Sequence, residues 1–374
     1  MNLPQTLWRR GQSVWLDNFE RGFIVSGQLQ QYITEGGLRG VLSNFISLEQ
    51  VIWGKDYHQD FRAIAHQPEM DVRSLYESII IRDMHLAADL LKVVHDQTQG
   101  YDGFVNLDLS PQVVFDAQAT LTEAQRLWQL VGWSNLMLKV PATPTTLSIV
   151  EQLICEGINV NVTLLFSQAV YEQVAQAYLR GLETLAAQGS ELSKVASVAS
   201  FSVCRLDKFI NALVTARLDT VTDEHERAIL ESLQGRVAIA QAKLTYQRYR
   251  VLYQSDRWRS LAAQGAQPQR LLWDSGGISN SPSDERLFLE SLIGTDTAIA
   301  LSSTTLEEYR KYSPLRASLT ENLEAAHRIL DSLPQLGISL DAIAERLLTE
   351  EVQQSIELFE QLLRTIAQKR QTLF

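Results

Sequence analysis

One lysine, Lys139, stands at the end of the short apolar run inside the stretch Asn135–Thr143, NLMLKVPAT, and Pro141 follows two residues on. The run has the composition of a buried strand, and the proline is expected to end its regular pairing. Desolvation disfavours an ammonium, so the context predicts a neutral amine near pH 7 that can attack a carbonyl and form a Schiff base. The plainer reading is a lysine that caps a strand end with its charge in water, the ordinary fate of lysines. Its company argues for chemistry. Asp17, Asn44, Asp108, Asn161, Thr163 and Ser200 also stand at or near the ends of short apolar runs, and the loop Asp274–Asn280 follows another. Taken singly, each is explained as a polar residue satisfying loop backbone. Together they supply the parts of Schiff-base aldol chemistry: an iminium-forming lysine, a carboxylate to move a proton during carbon–carbon cleavage, and polar groups to handle the water lost. Asp17 suits the acid/base, Asp108 with Thr163 the water, and Asn44 and Asn161 the hydroxyls of a sugar. Arg205 suits an anionic group such as a phosphate, unless it is a surface arginine opening the next helix.

These residues need a scaffold that brings run ends together. The runs are Val14–Asp17, Leu38–Asn44, Phe104–Leu109, Leu136–Val140, Ile158–Leu164, Val195–Ser200, Arg270–Asp274 and Thr297–Leu301, eight in all. Segments of helical period separate them, among them Asp71–His95, Ala119–Val131, Thr146–Glu156, Gln168–Gln188 and Glu224–Tyr253. Eight strand–helix units predict a closed (β/α)8 barrel of the TIM type, whose chemistry gathers at the C-terminal ends of its strands. Helix-rich sequence from Leu48 to His95 exceeds one crossover. After the last run the chain is helical through Thr304–Tyr312, Leu319–Ser332, Leu340–Leu348 and Glu351–Leu373. With no linker or repeat in view, residues 1–374 are expected to form one barrel domain, with 304–374 as helices packed on the barrel or on a neighbouring subunit, which leaves a homodimer open.

Charge narrows the partners. Among 374 residues, 33 basic against 44 acidic side chains give a net charge of −11, which argues against nucleic acid and anionic membrane surfaces and for a small molecule. The two cysteines, Cys155 and Cys204, lie far apart and fit a reducing compartment rather than a disulfide or zinc framework. No long apolar core marks the N-terminus and no apolar stretch reaches membrane-spanning length, so a cytoplasmic protein is expected.

The chain resembles the transaldolases of the longer type found in actinobacteria, cyanobacteria and plants, nearly end to end. The resemblance is carried by SVWLDNF at Ser13–Phe19, NLMLKVPAT, GINVNVTLLFS at Gly157–Ser167, SVASFSVCRLD at Ser197–Asp207 and QRLLWDSGGISN at Gln269–Asn280. It implies a class I aldolase barrel with Lys139 as the Schiff-base lysine and Asp17 as acid/base. It further implies transfer of a dihydroxyacetone unit between sugar phosphates, from sedoheptulose 7-phosphate to glyceraldehyde 3-phosphate or the reverse from fructose 6-phosphate. No metal or organic cofactor is required, because the lysine is the electron sink. The departures cluster. Asp108 stands where the family usually has glutamate, Asn44 is followed by Phe45 rather than proline, and Phe201-Ser202 replaces paired phenylalanines. Gly277 replaces a small hydroxyl residue, Ser279 a lysine or arginine, and Ala300-Leu301-Ser302-Ser303 the Thr-Met-Pro run. The chemical core is kept and the phosphate grip thinned, so a lysine aldolase acting on a different or less phosphorylated sugar, and a catalytically weakened sugar-phosphate-binding relative, stay open as alternatives.

A charge-assisted contact to phosphate is worth about 1.5–3 kcal/mol. If Ser279 occupies a phosphate-binding position, Ser279→Arg lowers the Michaelis constant for phosphorylated ketoses roughly 10- to 100-fold and leaves that for fructose unchanged. Steady-state kinetics on both donors decides it, since an equal effect on the two removes the phosphate from this place.

Overall fold

The computed structural model describes residues 3–64, 70–274, 282–308 and 315–372. Eight parallel strands close into a barrel in sequence order: β1 (Gln12–Asp17), β2 (Gly40–Leu42), β3 (Phe104–Asp108), β4 (Leu136–Pro141), β5 (Val160–Leu165), β6 (Ser197–Ser202), β7 (Arg270–Asp274) and β8 (Thr297–Leu301). The first and last pair through Gln12–Leu16 and Thr297–Leu301, so no edge is left open. The expected (β/α)8 barrel is what the chain forms.

Each strand is buried on both faces, which is why the runs read as continuous rather than alternating apolar sequence. Inside, Trp15, Leu42, Phe104, Met137, Val198 and Leu272 fill the barrel with alanines from β8. Gly40 is required here, because a Cβ on it would lie 2.7 Å from the Trp15 ring. Outside, Val14, Leu16, Val41, Val105, Leu138 and Val140 meet the helices in a second, larger core. Polar groups close the N-terminal end. Arg270 donates to Ser13 Oγ at 2.8 Å and pairs with Asp102 at 2.8 Å, and Asp102 also accepts from the Trp15 indole at 3.2 Å. A charge buried this deeply is tolerated only with such complete pairing.

Several boundaries differ from the expectations. Pro141 is the last residue of β4, still paired rather than outside the strand. It lies opposite Thr163, and the ladder there uses the Ala142 amide to the Thr163 carbonyl at 2.9 Å, so the missing proline N–H is not called on. The segment Glu224–Tyr253 is two helices, Glu224–Leu233 and Val237–Leu252, divided at Gly235, whose φ of +66° leaves helical space and whose amide donates to Asn211 at 2.9 Å. Conversely, Leu340–Leu348 and Glu351–Leu373 merge into one helix, Leu340–Thr372, since Thr349 and Glu350 between them offer no break. The helix before it spans Leu323–Ser332, and Ser303–Glu308 is the described part of the one after β8.

The extra helices between β2 and β3 are Phe45–Val51, His58–Ile64 and Val72–Gln97. Arg21, in the short helix Arg21–Val25 that follows β1, ties them in by bonding Asp83 at 2.5 Å and Asp60 as well, both with little exposure. No described helix is long and apolar enough to cross a membrane. The C-terminal helix then packs on this same group. Phe359, 1% exposed, inserts with ring centroids 5.1 Å from both Phe45 and Tyr76. Farther along, the Lys369 amine bonds the carbonyls of Ile52 and Gly54 and sits 4.6 Å over the Phe61 ring. Removing a buried phenylalanine side chain costs about 3–5 kcal/mol. Phe359→Ala therefore frees the C-terminal helix before the barrel melts, seen as protease cleavage within 340–372 at denaturant concentrations that leave the wild type intact. Wild-type protease resistance in that segment means the docking rests elsewhere.

Candidate active site

The C-terminal ends of β1 to β7 open on one cleft, lined by Asp17, Asn44, Asp108, Lys139, Thr163, Ser202, Arg205 and Asp274 and walled on one side by Glu351, Gln354, Ser355 and Leu358 of the C-terminal helix. Parallel pairing sets Lys139 of β4 beside Asp108 of β3, in register. The Lys139 amine lies 2.8 Å from Asp108 Oδ1 and donates to the Ser43 carbonyl at 3.0 Å, its side chain 16% exposed. Here the structure corrects the sequence reading of a neutral amine. Burial, the largest single influence, pulls the Lys139 pKa down, but the carboxylates of Asp108, Asp274 and Asp17 together oppose it, Asp108 most, and the net shift is upward. In the resting protein the lysine is an ammonium in an ion pair.

The carboxylates around it are held from the backbone up. Asp108 accepts from Ser43 Oγ at 2.9 Å, and its own amide donates back to that hydroxyl at 3.3 Å. Asp17 ends β1 at 6% exposure, and the chain turns directly after it at Asn18, φ +68°. Asparagine tolerates this left-handed conformation. Thr163 lies in a bulge of β5 between Val162 and Leu165, and its neighbour Leu164 takes φ +59°. A branched residue there is strained by about 1–3 kcal/mol, and such strain concentrates at functional sites.

The remaining expected residues separate into groups. Asn44 lines the cleft, yet β2 ends at Leu42, and Asn44 Oδ1 caps the following helix by accepting from the Ile46 amide at 2.8 Å. Asn161 and Ser200 are enclosed in the barrel and do not line the cleft. Ser200 Oγ donates to Asn161 Oδ1 at 2.6 Å, Asn161 donates to Asn106 at 2.9 Å, and Asn106 to the Val41 carbonyl at 2.9 Å. This chain crosses from β6 to β2 beneath the mouth. Arg205 lines the cleft, and its Nη1 pairs with Glu351 and donates to Gln354 Oε1 at 3.3 Å. Ser279 and Gly277 lie outside the described residues.

The sequence reading passed over three participants. Asp274 was seen only as the start of a loop, though the rule that selected Asp17 selects it equally. Ser43 carries no signal beyond its place next to Asn44. Nothing local marks Glu351, which reaches Arg205 from 146 positions away.

A family model described as transaldolase/fructose-6-phosphate aldolase matches residues 14–366. The chain belongs to the transaldolase/fructose-6-phosphate aldolase family. Among its relatives, the transaldolase of Trichodesmium erythraeum is 38% identical over 96% of this chain and 95% of its own. The transaldolase 2 of Nostoc punctiforme is 36% identical over 97% and 96%, and the transaldolase of Thiobacillus denitrificans 38% over 93% and 94%. The match runs from within β1 to within the C-terminal helix.

The charge state of Lys139 depends on Asp108. In Asp108→Asn the largest upward influence is gone and burial remains, so the Lys139 pKa falls. Competitive acylation of that amine, followed by mass spectrometry across pH, should show its reactive midpoint displaced to lower pH in the variant. An unmoved or higher midpoint means that Asp108 does not govern the amine.

Proposed function

We propose that this chain is a transaldolase that moves a dihydroxyacetone unit between sugar phosphates through a Schiff base on Lys139, as a cytoplasmic enzyme of the pentose phosphate pathway. The observation that carries the reading is one enclosed lysine at the mouth of a family barrel, in hydrogen-bond contact with Asp108 and in a cleft shared with Asp17.

The reaction begins when Asp108, 2.8 Å away, takes a proton from the Lys139 ammonium. The freed amine adds to the C2 carbonyl of the ketose. Asp108, now an acid, protonates the carbinolamine hydroxyl, which leaves as water beside Thr163, and the iminium forms. Asp17 then accepts the proton of the C4 hydroxyl as the C3–C4 bond breaks. The bonding pair moves into the iminium and leaves an enamine on Lys139 while the aldose departs. An aldehyde acceptor reverses these events, Asp17 returns its proton to the new hydroxyl, and water releases the product ketose. Asn44, its Oδ1 committed to the helix cap, offers its amide donors to sugar hydroxyls. Asn161 and Ser200 support the site from below through their hydrogen-bond chain, a smaller role than direct sugar contact. Cys155 and Cys204 are not joined in a disulfide, which accords with a reducing compartment.

The family description also names fructose-6-phosphate aldolases, which makes an aldolase the second reading. Product analysis separates them: a transaldolase needs an aldehyde acceptor, whereas an aldolase releases free dihydroxyacetone without one. Borohydride reduction with fructose 6-phosphate, followed by peptide mapping, should give a stable adduct on Lys139. Lys139→Ala abolishes both adduct and transfer, and Asp17→Asn lowers kcat roughly 10²-fold while the adduct still forms. Transfer near the wild-type rate in Lys139→Ala defeats the Schiff-base assignment, and a change confined to KM in Asp17→Asn reassigns that carboxylate to binding.

A further inference from the structure

Arg205 stands two residues into the helix Val203–Leu218, directly after β6, and lines the same cleft as Lys139. In that position a guanidinium is suited to a substrate phosphate. Its Nη1 is already engaged by the C-terminal helix, through the Glu351 carboxylate and, one turn on, the Gln354 side chain. The pair is enclosed, with side-chain exposures of 19% for Arg205 and 12% for Glu351, so the attraction is stronger than at an open surface. Burial holds the Glu351 pKa up, Arg205 opposes this, and Asp274 adds to it. Asp274 also acts on Lys139, so it is felt at both ends of the cleft.

A structural tether would explain the contact less well. Docking of this helix is carried by Phe359 and Lys369, and a buried ion pair adds little net stability once desolvation is counted. The effect on an incoming anion is larger. A phosphate dianion at Arg205 must either sit against the Glu351 carboxylate or displace it.

We propose that Glu351 is a specificity-determining residue, a resident anion that occupies Arg205 and makes any substrate phosphate compete for it, so that this site favours phosphorylated over uncharged polyols less than an open arginine would. The proposal rests on the reading of the cleft as a sugar-phosphate site. Its test is chosen not to depend on the Schiff base.

Sorbitol 6-phosphate and sorbitol lack a carbonyl and cannot form an imine, so their binding reports on the anion seat alone. Calorimetric titration of the full chain should show Glu351→Gln tightening sorbitol 6-phosphate roughly 10-fold relative to any change for sorbitol. Adding Arg205→Gln to that variant removes the gain. Arg205→Gln in the otherwise native chain changes sorbitol 6-phosphate affinity by less than about 3-fold, because its charge is already spent. This second measurement decides the matter if Glu351→Gln does not fold. Unchanged or weaker sorbitol 6-phosphate binding in Glu351→Gln overturns the proposal, as does no detectable binding in any form. An equal gain for both ligands overturns it too, because it reports an opened wall rather than a freed arginine. A loss of roughly 10-fold in Arg205→Gln alone means the arginine is open to phosphate and also defeats it. If these shifts appear while no borohydride adduct forms on Lys139, the proposed chemistry falls and the role of Glu351 stands.

Discussion

Everything at the mouth depends on the ion pair between Lys139 and Asp108, 2.8 Å apart on neighbouring strands. The two residues are paired in register, and in a strand successive side chains face opposite sides. A slip of one residue between β3 and β4 would turn one partner out toward the helices. Asn135 guards against that slip. It enters β4 with its side-chain amide on the carbonyls of Ala88 and Gly103, each at 3.0 Å, and its own carbonyl accepts the Val105 amide at 2.9 Å. A buried asparagine thus helps to hold Lys139 in register with its carboxylate.

The pair also bears on the charge that Lys139 carries. Burial works against the charged amine, and the surrounding carboxylates reverse that. An amine held in this way stays protonated until the partner carboxylate takes its proton. Left-handed backbone at Asn18 and Leu164 aims Asp17 and Thr163 into the same space, at a cost the closed barrel can absorb.

The barrel was legible because eight doubly buried strands write themselves as short apolar runs, and their polar ends stand out against that background. Lys139, Asp17, Asp108 and Thr163 were found in this way, and all four line the cleft. The protonation of Lys139 was misread because composition records that a lysine is desolvated but not which carboxylate faces it. Asn161 and Ser200 have the right residue types, but their hydrogen bonds to one another are a property of interior geometry that spacing does not encode. Helix ends failed for local reasons. Gly235 breaks a periodic pattern by its φ, while Thr349–Glu350 sits between two apparent helices without breaking anything.

The least legible element is the wall that the C-terminal helix sets across the mouth. Its amphipathic pattern announces that it packs somewhere, and its partners, Phe45, Tyr76 and the carbonyls of Ile52 and Gly54, belong to helices and turns inserted between β2 and β3. The segment that places Glu351 on Arg205 is therefore anchored outside the strands that carry Lys139, Asp17 and Asp108. That arrangement separates two functions physically. Strand register governs the carbon–carbon chemistry, while the docking of one late helix governs which charges surround the substrate, so the second can change without disturbing the first.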